Sequence, residues 1–230
     1  MTRILAVETS GRCGSVALLE SCRDRLQTAG QLMLPPTQRT ARALAPSSRH
    51  LLDEVDWSPQ SIDLVAVAAG PGSFTGLRIG MTMAKTWAYA VGAKILGINT
   101  LEVLASQIPQ TAGPLHTVLD AQREELFAAR FLPAVSGGWD MVEPTRIIAI
   151  PAWLADLSPG DTVTGPGLPH LADALPKGVE ITDQHAWQPV AKNVGNVAWK
   201  RFRQGEEDDL WQLVPDYYRL SAAEERRGPG

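Results

Sequence analysis

The stretch from Asp63 to Gly80 constrains this chain more than any other. A nearly unbroken apolar run, Asp63 to Ala69, leads into Gly70-Pro71-Gly72-Ser73-Phe74-Thr75-Gly76-Leu77-Arg78-Ile79-Gly80, and a helical pattern follows. Such a run is expected of a strand buried on both faces of a sheet. Strand, glycine turn and helix in that order aim backbone N–H groups and the positive helix end at one spot, where phosphate or carboxylate oxygens are commonly held. The helix is predicted over about Leu77–Val91. On it Gly80, Ala84 and Ala88 make a small row that lets another helix approach closely. Ile79, Met83, Trp87 and Val91 make a large row expected to fill a core. With so few polar positions, this helix is either internal or part of a subunit contact.

The turn does not complete the better-known phosphate sites. Gly76-Leu77-Arg78 stands where a P-loop needs Gly-Lys-Ser/Thr. A dinucleotide site needs an acid for a ribose hydroxyl, and none occurs between Leu64 and Leu101. Ser73 lacks the flanking glycines of a nucleophile elbow.

Upstream, Ile4–Thr9 and Gly14–Glu20 read as strands around Ser10-Gly11-Arg12, a hairpin with Glu8, Thr9 and Ser10 at its tip. Arg25–Gln31 adds a third strand. Thr37–Val55 is a helical pattern that Pro46 is expected to break or kink. Downstream, Ala93–Ile98 is a strand and Asn99 opens a short helix to about Gln107. Ile108–Pro114 is the best boundary, with breakers at both ends. His116–Leu119 and Glu125–Phe131 form a second hairpin with Asp120-Ala121-Gln122-Arg123 at its tip, repeating the opening of the chain. Trp139–Ile150 is irregular to extended, Pro151–Leu157 is helical, and Asp161–Thr164 with Gly165-Pro166-Gly167 is a second strand and glycine turn. A last helix covers about Val190–Phe202, and a charged, frayed tail closes the chain. Two subdomains are expected, 1–108 and 109–213, with the tail 214–230 placed to pack back on the first. The fold class is α/β, with two actin-like (ASKHA, ribonuclease-H-like) subdomains of mixed sheets flanked by helices.

The 230 residues are 44% hydrophobic, enough for a real core. A net charge of -4 argues against a broad basic surface for nucleic acid, and Arg39, Arg42, Arg49 and the 200–203 cluster read as solvated helix faces. No export signal or membrane span is legible, so a cytoplasmic location is expected. Cys13 and Cys22 lack metal-ligand spacing and read as free thiols.

Ile4-Leu-Ala-Val-Glu-Thr-Ser10, Gly70 to Gly80, Gly97-Ile-Asn-Thr-Leu-Glu102, the Asp120-Ala121 turn and the closing Pro215–Arg219 resemble the TsaB (YeaZ) family over nearly the whole chain. That resemblance implies a role in making threonylcarbamoyladenosine next to the anticodon of tRNAs that read codons beginning with A, as a subunit supporting the transferase TsaD. The transferase carries a metal-binding Asn-His-Leu-Glu-x-His segment. Here the same register reads Asn99-Thr100-Leu101-Glu102-Val103-Leu104, without either histidine. Leucine offers a metal no lone pair, and a threonine hydroxyl is a poor substitute for imidazole. Glu8, where relatives usually carry aspartate, and Gln122-Arg123-Glu124, where the second hairpin more often reads Arg-x-x-Glu, also depart from the pattern.

The resulting expectations are no catalytic residue, no metal, and a vestigial or shared nucleotide site at Glu8, Thr9, Ser10, Gly70, Gly72 and Ser73. A partner interface is expected at Leu77, Gly80, Met81, Ala84, Trp87, Ala88, Leu44 and Leu51. The chain alone is expected to bind no cofactor, with ATP and a metal ion in its partners. Those partners are a TsaD-type transferase and a TsaE-type ATPase, with a homodimer in isolation, tRNA met mainly through the complex, and no membrane contact. The alternative is a nucleotide-binding phosphotransferase or glycoprotease-like enzyme of the actin-like superfamily.

Overall fold

The computed structural model describes residues 1–23, 25–135 and 137–219. Its first half holds β1 (Arg3–Glu8), β2 (Ser15–Cys22), β3 (Arg25–Met33), α1 (Thr40–Glu54), β4 (Leu64–Gly70), α2 (Phe74–Val91), β5 (Lys94–Asn99) and α3 (Thr100–Ser106). The second holds β6 (Leu115–Gln122), β7 (Glu125–Pro133), β8 (Trp139–Ala149), α4 (Ile150–Asp156), β9 (Thr162–Thr164), β10 (Glu180–Ile181) and α5 (Ala191–Arg203). The strand orders are β3-β2-β1-β4-β5 and β8-β7-β6-β9-β10. In each sheet the first three strands are antiparallel and the fourth and fifth run parallel to the first. The repeated hairpin is thus the start of one topology used twice, with mixed sheets flanked by helices as expected of actin-like subdomains.

Alternation along the strands sorts the first core into two layers. Leu5, Val7, Val16, Leu18, Val65 and Val67 pack under α1 and α2, whereas Ile4, Ala6, Ala17, Leu19, Leu64 and Ala66 pack under α5 and Val103 of α3. All of β4 is buried, as its continuous apolar run requires. Helix α3 joins the halves. Asn99 caps it by accepting the N–H groups of Leu101 at 2.9 Å and Glu102 at 3.3 Å, and Leu101, Leu104 and Ile108 enter the core with Leu115, Leu119 and Phe131.

Several expectations change. Helix α1 runs through Pro46, because the proline lies on the exposed face, where the carbonyl it leaves unbonded meets water. Trp139–Ala149, expected to be irregular to extended, is an edge strand whose pairing with β7 shifts register twice, on either side of Arg130. Helix α5, which falls within the segment 109–213 assigned to the second subdomain, packs on the first sheet instead. Strands buried on both faces need a helix on each, and α5 covers the face opposite α1 and α2. The charged tail expected after Arg219 lies outside the described residues. Cys13 and Cys22 are exposed free thiols. No helix among the described residues is long and apolar enough to cross a membrane.

Candidate functional site

The ends of β1 and β4 in the first half, and of β6 and β9 in the second, meet around a cleft of about 820 Å³. Each half contributes a hairpin tip and a glycine turn. In the first, Ser73 caps α2 by accepting the Gly76 N–H at 3.3 Å and donates its own N–H to the Ser10 carbonyl at 2.7 Å. The helix therefore starts at Phe74, one turn earlier than Leu77. Gly76 and Gly80 lie against the hairpin tip, where a Cβ would stand 2.0 Å from the Thr9 carbonyl oxygen and 2.2 Å from Thr9 Oγ1. Thr9 Oγ1 donates to the Gly76 carbonyl at 2.8 Å. The second half repeats the approach, with a Cβ at Gly165 2.1 Å from the Val118 carbonyl oxygen. The glycines serve first to press each turn onto its hairpin.

This packing decides what the predicted nucleotide residues can do. Glu8, Thr9 and Ser10 are all buried. Ser10 donates its N–H to Glu8 Oε1 at 2.5 Å and its hydroxyl to the same oxygen at 2.6 Å, so the carboxylate turns back into its own loop. Burial pushes the Glu8 carboxyl up to about 7, against the Ser10 and Gly11 hydrogen bonds that favour its charged form. Ser10, Gly72 and Ser73 line the cleft, whereas Glu8, Thr9 and Gly70 do not, and the charged residues around it are of both signs, Asp120 and Asp216 beside Arg12, Arg123 and Arg219. A carboxylate closed on its own loop does not fit a metal-bound nucleotide. Among the described residues no group of three or more His, Cys, Asp or Glu side chains is placed to hold a metal ion.

The raised carboxyl sets a pH dependence. Its folded-state value lies above its ordinary 4.5, so the associated stability is fully present below pH 4.5 and is lost as pH rises through 7. The loss amounts to about 3 kcal/mol. Glu8→Gln cannot titrate, and urea unfolding of both proteins between pH 4.5 and pH 8 is expected to show the wild type losing that margin relative to the variant. Parallel curves would refute the assignment.

The positions in register with the transferase's two histidines are turned inward. Thr100 and Leu104 are fully buried, and Glu102 pairs with Arg201 of α5. Asn99 is occupied as the α3 cap and reaches Thr145 Oγ1 at 2.9 Å.

The partner face differs from its expected composition. Leu77, Gly80, Met81, Ala84 and Ala88 of α2, and Leu44 and Leu51 of α1, are core residues rather than a contact surface. The small row faces β1 and β4, because only small side chains let the helix lie that close to Thr9 and the sheet. The large row, Ile79, Met83, Trp87 and Val91, is half-buried and lines an apolar groove of about 710 Å³ between α1 and α2, with Leu44 at its floor and Ala41 and Ala45 on the α1 side. The small row, expected to admit another helix, meets the sheet instead, while Ile79, Met83 and Trp87 pack against the first core as expected and line the groove as well. Trp87 alone of the expected contacts keeps surface there, and its buried Nε1–H has no hydrogen-bond partner. Periodicity carried the signal for both rows but not which of them faces the sheet.

Comparison with known proteins bears on this geometry. A family model described as TsaD, tRNA N6-adenosine threonylcarbamoyltransferase, matches residues 37–154. The tRNA threonylcarbamoyladenosine biosynthesis protein TsaB of Bacillus subtilis is 30% identical over 96% of both chains. This chain belongs to the TsaB family. The TsaB protein of Escherichia coli is 28% identical, again over 96% of both. YeaZ from Pseudomonas aeruginosa superposes with a TM-score of 0.77 and 25% identity, covering 94% of this chain and 100% of that one. A TsaB chain and a TsaD transferase are therefore paralogues that share the segment carrying α1, β4 and α2.

Proposed function

We propose that this chain is a non-catalytic subunit that supports a TsaD-type transferase in forming threonylcarbamoyladenosine on tRNA, and that it docks through the α1/α2 groove. The groove carries the reading: an apolar recess edged by exposed α1 and α2 positions suits a contact surface left open in the lone chain. A TsaD-type partner fits it because the family match includes both helices, so the paralogue brings a helix pair of the same kind. Packing of like on like makes a pseudo-twofold contact, and a homodimer through the same face competes with it.

Catalysis is assigned to the partner. Thr100 and Leu104 are buried, and the Glu8 carboxylate at the first hairpin tip is closed on Ser10 rather than turned to a nucleotide-bound metal. The phosphotransferase alternative needs that carboxylate. ATP and a metal ion accordingly belong to the transferase and to a TsaE-type ATPase, and tRNA is met mainly through the complex. Reconstituted tRNA modification is expected to require this chain, with a stoichiometric complex seen by size measurement of the mixture. Modification proceeding equally well without the chain overturns the reading.

A further inference from the structure

The segment after α5 returns across the molecule and is fixed to the first half before it reaches the cleft. The Asp208 N–H donates to the Ile95 carbonyl at 3.0 Å, and Lys85 Nζ of α2 donates to the carbonyls of Trp211 at 3.2 Å and Leu213 at 2.9 Å. From Asp216 onward the contacts pass from one half to the other. The Asp216 N–H donates to the Ala69 carbonyl at 2.8 Å, over Gly70, where a Cβ would stand 2.7 Å from the Asp216 carbonyl oxygen. The Tyr217 ring lies 4.8 Å from the Phe74 ring, and its hydroxyl accepts from Arg78 Nε at 2.9 Å, both residues of α2. Tyr218 then crosses to Phe127 of β7, at 6.0 Å between ring centroids. Arg219 donates to the Ala121 carbonyl at 2.8 Å and pairs with the Glu125 carboxylate, across the base of the second hairpin. Asp216 and Tyr217 hold the first half, Tyr218 touches both, since its hydroxyl also accepts from Asn99 Nδ2 at 3.3 Å, and Arg219 holds the second; all four line the cleft.

We propose that Asp216–Arg219 form a strap that fixes how far the cleft between the two halves opens, so that it widens only when Tyr218 and Arg219 release the second half. Charge-assisted and aromatic contacts arranged across a cleft limit hinge motion between the bodies they join. Arg78, which donates to Tyr217 of the strap, also lines the apolar groove, so one side chain joins that groove to the strap.

The test uses the whole chain with Cys13 and Cys22 replaced by serine and spin labels at His50→Cys on α1 and Asp173→Cys on the second half, both exposed positions. Dipolar distance measurement is expected to give one narrow distribution. Arg219→Ala, and a chain ending at Pro215, are expected to broaden it toward longer distances, while Trp211→Ala, outside the cleft, leaves it unchanged. Arg219→Ala removes the Ala121 and Glu125 contacts of one half-buried side chain, and circular dichroism checks that it stays folded. If Arg219→Ala and the truncated chain both keep the original distribution, the strap is refuted.

Discussion

Gly76→Ala is expected to destabilise the fold by about 3 kcal/mol, the upper part of what overpacking usually costs, despite the roughly 1 kcal/mol that alanine contributes as a better helix former. The new Cβ would stand 2.0 Å from the Thr9 carbonyl oxygen, a backbone atom held between β1 and the hairpin tip. No rotamer change relieves that contact, so either α2 or the tip must move. Gly80→Ala tests the same packing with a different neighbour, since its Cβ would meet Thr9 Oγ1 at 2.2 Å. In a Thr9→Ala background the hydroxyl is gone, and the cost of Gly80→Ala is expected to fall by at least about 1 kcal/mol, while that of Gly76→Ala stays. Urea unfolding of the single and double variants measures both. Equal relief at 76 and 80 would mean that the tip is not the obstacle.

Ala45→Glu is expected to weaken binding of the TsaD-type partner by at least about 30-fold, roughly 2 kcal/mol, without unfolding the chain. Ala45 is exposed on α1 and edges the groove opposite the large row of α2, and glutamate is tolerated on an exposed helical face. Docking would bury its carboxylate among Ile79, Met83 and Trp87 with no partner for the charge. A substitution at Ala84 cannot make this test, since Ala84 is 0% exposed and a larger side chain there would disturb the sheet packing itself. Titration of the labelled chain with the transferase reads the affinity, and a melting curve confirms the fold. Unchanged affinity would remove the groove as the docking face.

Most of the architecture was legible along the chain. The continuous apolar run of β4, the two hairpins with acids at their tips, the second glycine turn and the breakers at 108–114 are local signals. A strand buried on both faces, a tight turn and a chain reversal each need particular residue types in consecutive order. The likeness to TsaB was legible for the same reason, because its motifs are contiguous. The loss of the histidines at Thr100 and Leu104 is a matter of residue type and needs no coordinates.

Tertiary structure alone decided the rest. Periodicity marks a small and a large row on α2, but which row meets the sheet depends on how near Thr9 and β4 stand to the helix. Steric closeness gives that side to Gly76, Gly80 and Ala84, leaving Trp87 and its row to line the α1/α2 groove. Glu8 in sequence is a carboxylate at a turn; in the fold it is closed on Ser10 and held near neutrality by burial, an effect of the chain around it. Helix α5 and the strap at Asp216–Arg219 reach back to residues far away along the chain, to Ile4, Ala69, Phe74, Ala121 and Glu125. Their placement follows from which apolar faces and cleft edges remained uncovered once the two sheets had formed, a quantity that no local pattern encodes.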